Sequence, residues 1–174
     1  MIMPPGNQQS NLLRSAINQR LQYPFTNQNS QNNQQKAPVR TSIFYINDYH
    51  GKSINMERTV TASNAFDCFV PSQKTDKLKL SSGDIMLGEI LPANQVAVEA
   101  QKVMGIMASA MGNHEYDMPK DIDKLIPKIG FKLLACNVNI TPDNPLSKKV
   151  EKSYVQEVNG NKYGIIVQLL LTYL

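Results

Sequence analysis

Residues 112–117 read Gly112-Asn113-His114-Glu115-Tyr116-Asp117, and the rest of the chain is best read outward from this hexapeptide. It follows a short apolar run over 108–111 that reads as a strand, so it lies at a strand end. Asn113 offers a neutral amide oxygen to a cation. His114 can donate a proton or a hydrogen bond. Asp117, three residues on, can reach back to the imidazole and fix its tautomer and basicity. Such a carboxylate–imidazole pair suits protonation of a leaving alkoxide. The plainer alternative is a helix-entry turn whose acidic residues sit favourably near a helix N-terminus.

Two shorter motifs precede it. Asn47-Asp48-Tyr49-His50-Gly51 follows the apolar run Ser-Ile-Phe-Tyr-Ile over 42–46, which reads as a buried strand. In extended chain, residues two apart project to the same side, so Asp48 and His50 can meet one ion. Gly83-Asp84 follows a second strand, Lys-Leu-Lys-Leu-Ser over 77–81, and glycine there permits a sharp turn or a close approach. Taken singly, both motifs read better as ordinary turns than as sites.

The remaining pattern is strand–helix alternation. Pro92 opens a helix with Val96, Ala100, Val103, Met104 and Met107 at helical spacing, the methionines serving as core filler. Pro119 opens another, with Ile122, Leu125, Ile126 and Ile129 as its apolar stripe, Pro127 bending it and Gly130 capping it. A strand follows over 131–136. Two strands around Asn159-Gly160 then form a hairpin. The expected fold is an α/β domain with a mixed sheet.

Residues 1–40 form a separate region. Fifteen of them are Asn or Gln, too polar a composition to build a core, so a disordered tail is expected. Within it, Leu12, Leu13, Ala16, Ile17 and Leu21 share one helical face behind a possible Ser10 cap. The net charge of +4 comes from Arg14, Arg20, Lys36 and Arg40, since residues 1–47 hold no acid. The domain over 41–174 is therefore neutral, and nucleic-acid binding is not expected. Cys68 and Cys136 set no disulfide framework and read as reduced thiols. No segment has the apolar length of a membrane span, and no export signal is legible, so the default compartment is the cytoplasm.

Taken in order, the three motifs resemble the calcineurin-like metallophosphoesterase superfamily, and within it the 5′-nucleotidase branch. Members of that branch carry Asn-Asp-x-His-Gly, then Gly-Asp-x-x-x-Gly, then Gly-Asn-His-Glu-Phe-Asp. Here these stand as 47–51, as Gly83-Asp84-Ile85-Met86-Leu87-Gly88, and as 112–117 with Tyr116 for Phe. Ala135-Cys136-Asn137-Val138 and the stretch 159–166 extend the likeness more weakly. The resemblance implies the N-terminal half of a metallophosphoesterase-type α/β sandwich. It implies hydrolysis of nucleotides, as by 5′-nucleotidases or 2′,3′-cyclic phosphodiesterases, through water activated by two metal ions. Asp48 and His50 would bind the first ion, Asp84 would bridge both, and Asn113 would bind the second. His114 would be the catalytic imidazole and Asp117 its partner. Oxygen and nitrogen donors of this kind are compatible with Mn, Zn or Fe and do not select among them.

The family site also takes histidines from its second half, and this chain has only His50 and His114. The second metal site is therefore incomplete. The chain is expected to be a truncated form of a longer enzyme, weakly active or inactive alone, ending on an unpaired apolar run over 167–174. A nucleotide or other small phosphate ester is the expected partner. Relatives of this type are frequently exported, which opposes the cytoplasmic default. The competing reading is a non-catalytic, degenerate domain acting in metal or protein binding.

Overall fold

The structure, a computed structural model, describes residues 39–87, 90–115 and 122–169. The expected tail over 1–40 lies outside these but for its last two residues, and Arg40 already belongs to the first strand. The amphipathic stretch within the tail, Gly88 of the second motif, the Pro119 helix start and residues 170–174 also lie outside them.

The chain alternates strand and helix. Strand β1 is Arg40–Ile46, helix α1 Ser53–Phe69, β2 Thr75–Ser81, α2 Leu91–Val103, β3 Ala108–Ala110, α3 Ile122–Leu125, β4 Lys132–Leu134 and β5 Val150–Glu151. These five strands form one sheet, all parallel and in chain order. Strands β6 Ser153–Val158 and β7 Asn161–Ile166 form a separate antiparallel pair, so parallel and antiparallel pairing occupy two sheets. The hairpin turn places Asn159 at φ 50 and Gly160 at φ 78, the two left-handed positions that Asn-Gly supplies in a two-residue loop.

Helices α1 and α2 pack on each other and cover one face of the parallel sheet. The core beneath them includes Met56, Val98, Met104, Ile106, Met111, Leu125, Phe131 and Leu133. Pro127 has the effect foreseen for it. The helix that carries the Ile122 and Leu125 contacts gives way to a 3-10 turn over Ile126–Lys128, whose backbone ends extended at Ile129 rather than on a glycine cap.

Three local features depart from what the sequence pattern shows. Helix α1 was not anticipated. Its inward line runs Met56, Val60, Ser63 and Phe66, and a hydroxyl in that line interrupts the apolar period. Helix α2 turns a different face inward than its valines suggest. Asn94, Ala97, Val98 and Gln101 are buried, whereas Val96 and Val103 are 52% and 71% exposed. Asn94 can face inward because its Oδ1 accepts the Leu87 N–H at 2.9 Å, which satisfies a loop amide.

Strand β2 is closed on both faces despite its alternating pattern, with Leu78 and Lys79 both buried. Lys79 is buried, and its ammonium donates to Ser63 Oγ (2.8 Å), Asp67 Oδ2 (2.6 Å) and the Met104 carbonyl (2.7 Å). It thereby ties β2 to α1 and to the end of α2.

The second face of the sheet is met by the hairpin. Asp76, 2% exposed, accepts from Asn159 Nδ2 (2.8 Å), Asn161 Nδ2 (2.7 Å) and the Tyr163 hydroxyl (2.5 Å). Past β7, the Val167 carbonyl accepts the Cys136 N–H at 2.8 Å, and Asn137 bonds both backbone groups of Leu169. Residues 167–169 are thus paired, contrary to the expectation for the start of the final apolar run. Ile43 and Tyr45 remain 56% and 60% exposed on this side. Both cysteines are free, and no helix among the described residues is long and apolar enough to cross a membrane.

Candidate metal centre

Strands β1, β2 and β3 end at one edge of the parallel sheet, and each releases a loop there: 47–51, 82–87 and 111–115. The carboxyl ends of parallel strands are where open α/β sheets build their sites. The first two loops are joined through their backbones. The His50 N–H donates to the Asp84 carbonyl at 2.8 Å and the Gly51 N–H to the Ile85 carbonyl at 2.9 Å.

This stitching brings Asp48, His50 and Asp84 together. Each offers one ligand atom, and those atoms lie within 4.8 Å of one another, a group that could hold a metal ion. The convergence does not arise from strand alternation, as the sequence suggested. Asp48, His50 and Asp84 have φ values of 53, 50 and 50, all left-handed. Among the described residues only one other non-glycine residue is left-handed, Asn159 in the hairpin turn. A side chain in this region costs roughly 1–2 kcal/mol. Backbone strain of this kind collects where a side chain is held for a task. Tyr49, between the two donors, points the other way and is 4% exposed in the core.

The nitrogen and oxygens of this group fit a cation. His50 Nε2 is buried and has no hydrogen-bond partner. It stands 3.5 Å from Asp48 Oδ1. A buried ring nitrogen without a hydrogen-bond partner, close to a carboxylate, is a ligand atom still to be satisfied, and a divalent ion bound there would satisfy it and both acids together. Asp48 is oriented from behind. Asn47 Nδ2 donates to its Oδ2, and the Ser82 hydroxyl donates to Asn47 Oδ1. Sequence reading assigned Asn47 and Ser82 no role; the Asn-Asp pairing in the first motif was the only signal for the former.

The third loop supplies the remaining candidates. Asn113 is exposed and lines, with Asp84 and Tyr45, a cavity of about 500 Å³. Its far wall is the end of β7 and Val167. His114 is half-buried, and its ring lies edge-on to that of His50 with centroids 4.8 Å apart. The His114 backbone N–H donates to Asp84 Oδ1 at 3.1 Å, which leaves Asp84 Oδ2 for other use. Asp117, expected to orient His114, lies outside the described residues. The 113–115 segment is a 3-10 turn, and its acid does not serve a helix dipole.

That acid, Glu115, is the residue sequence reading missed. It is fully buried. Its Oε1 accepts the N–H groups of Ile85 (2.8 Å) and Met86 (3.3 Å), and its Oε2 those of Asp84 (3.1 Å) and Gly112 (2.6 Å). Burial raises its pKa, the amides of Gly112, Met86 and Ile85 pull it back, and the charge of Asp84 adds a smaller rise. The loops can come this close because Gly83, at φ 96, has no Cβ; one added there would stand 2.6 Å from the Gly112 nitrogen.

No protein-family model matches the chain, and no curated protein does. Solved structures do match. The chain is similar to the 5′-nucleotidase precursor from Thermus thermophilus, with 21% identity and a TM-score of 0.60 over 73% of this chain and 28% of that one. It is also similar to the NAD nucleotidase of Haemophilus influenzae, with 19% identity and a TM-score of 0.57 over 73% of this chain and 26% of that one. The chain thus spans about a quarter of the length of these structures. The fold implied by the motif resemblance is the fold found, and its neighbours are nucleotidases.

Proposed function

We propose that this chain is the metal-binding part of a phosphoester hydrolase acting on nucleotides. The observation that carries this reading is the meeting of Asp48, His50 and Asp84 within 4.8 Å, all three in left-handed backbone. The nucleotidase names of the fold neighbours support the substrate class.

In this reading Asp48 and His50 would hold one divalent ion of Mn, Zn or Fe type, and Asp84 with Asn113 would hold a second. Such a pair of cations, when bound, would supply a lowered pKa for an attacking water and charge to offset that on phosphoryl oxygens. The chain's own residues do the positioning. His114 hands a proton to the leaving oxygen, with Asp117 holding its tautomer. The cavity beside Asp84 and Asn113 admits the ester. The sequence has no histidine beyond His50 and His114, so the second ion has only Asp84 and Asn113 from this chain. Binding of that ion is therefore weak, and turnover by these 174 residues alone is negligible.

The test is thermal unfolding of the chain with and without Mn²⁺. Stabilisation by Mn²⁺ that disappears in Asp84→Ala is expected, because an ion that binds only the folded state shifts the transition. Absence of any Mn²⁺ effect on the wild-type chain would overturn the reading. Metal-dependent phosphate release from AMP, abolished by Asp84→Ala, would instead overturn the claim of negligible turnover.

A further inference from the structure

We infer that Glu115 is a positioning residue for the metal centre: its buried carboxylate takes four backbone N–H groups from two loops and thereby sets where the Asp84 carboxylate stands. The inference rests on the metal-binding reading above and adds to it a residue with no ligand role.

Asp84, Ile85 and Met86 are consecutive, and their three N–H groups converge on one carboxylate. Successive amides aim at one point when the chain passes through alternating backbone hands, which makes a concave nest for an anion. Here the hand changes between Asp84, left-handed at φ 50, and Ile85, which has no positive φ. The anion in the nest is the protein's own Glu115, fully buried. The fourth amide, from Gly112, belongs to the loop that carries Asn113 and His114. One side chain therefore fixes the spacing of two loops.

The arrangement also accounts for how Asp84 keeps a strained backbone. Nothing in its own side chain requires φ 50; its Oδ1 bonds the His114 N–H from across the gap. Three N–H groups oriented by Glu115 hold the turn, and turn and carboxylate then face His50 and Asp48. Residues of this kind, which bond to a ligand's support and not to the ion, typically change metal affinity about 10–100-fold when altered.

Glu115→Gln is the discriminating change. It keeps the shape but replaces one acceptor oxygen with an N–H₂ group, which would face two N–H donors. The experiment is calorimetric titration of Mn²⁺ into the 174-residue chain as wild type, Asp84→Asn, Glu115→Gln and Glu115→Asp, each checked by circular dichroism and melting without metal. The expected result is Mn²⁺ binding by wild type, its loss in Asp84→Asn, and affinity about 10–100-fold weaker in folded Glu115→Gln. A Glu115→Gln chain that melts earlier but binds Mn²⁺ as wild type does would overturn the inference, since a purely structural carboxylate would behave so. Should Glu115→Gln not fold, Glu115→Asp decides. It keeps both oxygens but falls a methylene short, and wild-type affinity in it overturns the inference. A wild-type chain that binds no Mn²⁺ overturns the metal reading itself, a separate result from equal affinity in all Glu115 forms.

Discussion

A Cβ placed on Gly112 would stand 2.0 Å from Oδ1 of Asp84 and 2.5 Å from the Asp84 nitrogen. The two residues are 28 positions apart in the chain, yet they touch with no room for a methyl group. Gly112 does not have a positive φ, so the need for glycine is spatial. The first atoms to collide are a proposed ligand oxygen, which could turn aside only by leaving the His114 N–H, and a backbone nitrogen, which cannot.

Gly112→Ala should therefore damage the site more than the fold. Overpacking of this kind costs about 1–3 kcal/mol, read as a lower urea midpoint. The same variant should lose the stabilisation by Mn²⁺, because relief of the clash must move Asp84. Retained Mn²⁺ stabilisation would show that Asp84 holds no ion or that the loop relaxes freely.

Replacing Asp84 itself separates strain from chemistry. Asp84→Ala and Asp84→Gly should both abolish the Mn²⁺ response. Without metal, Asp84→Gly should be more stable than Asp84→Ala by roughly 1 kcal/mol, since only glycine occupies φ 50 without a Cβ penalty. Equal denaturation midpoints for the two variants would count against a left-handed Asp84.

Lys79→Met tests the link between sheet and helices. The substitution leaves the Met104 carbonyl and the Ser63 hydroxyl without the ammonium, although Ser63 still donates to Met104 at 3.2 Å. The expected cost is about 1–3 kcal/mol, with no change in Mn²⁺ affinity. A double-mutant cycle with Asp67→Asn should show coupling; additive effects would mean that the 2.6 Å ion pair contributes nothing measurable.

Tyr163 predicts a pH dependence. It donates to Asp76, and this bond with the nearby charge raises its pKa, partly offset by the Thr41 hydroxyl that bonds back to it. A group whose folded pKa is raised stabilises the fold fully below its unfolded value, ~10 for tyrosine, and loses that contribution as pH rises through the folded value. Tyr163→Phe should accordingly be less stable than wild type at pH 7, and the gap should narrow above pH ~10. A gap that widens with pH would contradict the Asp76 bond. Tyr49, whose burial pushes its pKa up to about 12, acts with the same sign in both proteins and cancels in the comparison.

Every strand but the two-residue β5 was plain in the sequence, because their signals are local. Apolar β-branched and aromatic runs mark β1, and Asn159-Gly160 states its own turn. The order of the three motifs pointed to one edge of an α/β sheet, and the three loops do share one. What stayed hidden depends on partners distant in the chain. Helix α1 carries Ser63 in its buried line because Lys79 and the Met104 carbonyl meet it there. Helix α2 buries Asn94 because Leu87 needs an acceptor. Glu115 looked like one more surface acid beside a histidine; its work lies in amides some 30 residues upstream. The left-handed backbone of Asp48, His50 and Asp84 was equally invisible, since Asp and His carry no local requirement for it as glycine does.

The hairpin gains a distinct dynamic character from the way it is attached. Its ladder bonds run only between β6 and β7, while Asp76 holds its turn end and the Cys136–Val167 bond holds the other. A β-ribbon fastened mainly at its two ends should behave as a small cooperative unit that opens before the parallel layer does. Its amides should exchange with deuterium well ahead of those of Leu80, Ala108 and Leu133, and each opening would bare the cavity wall beside Asp84 and Asn113 without unfolding either loop. Access to that wall is then set by the breathing of the ribbon, on its own clock, and not by the stability of the chain as a whole.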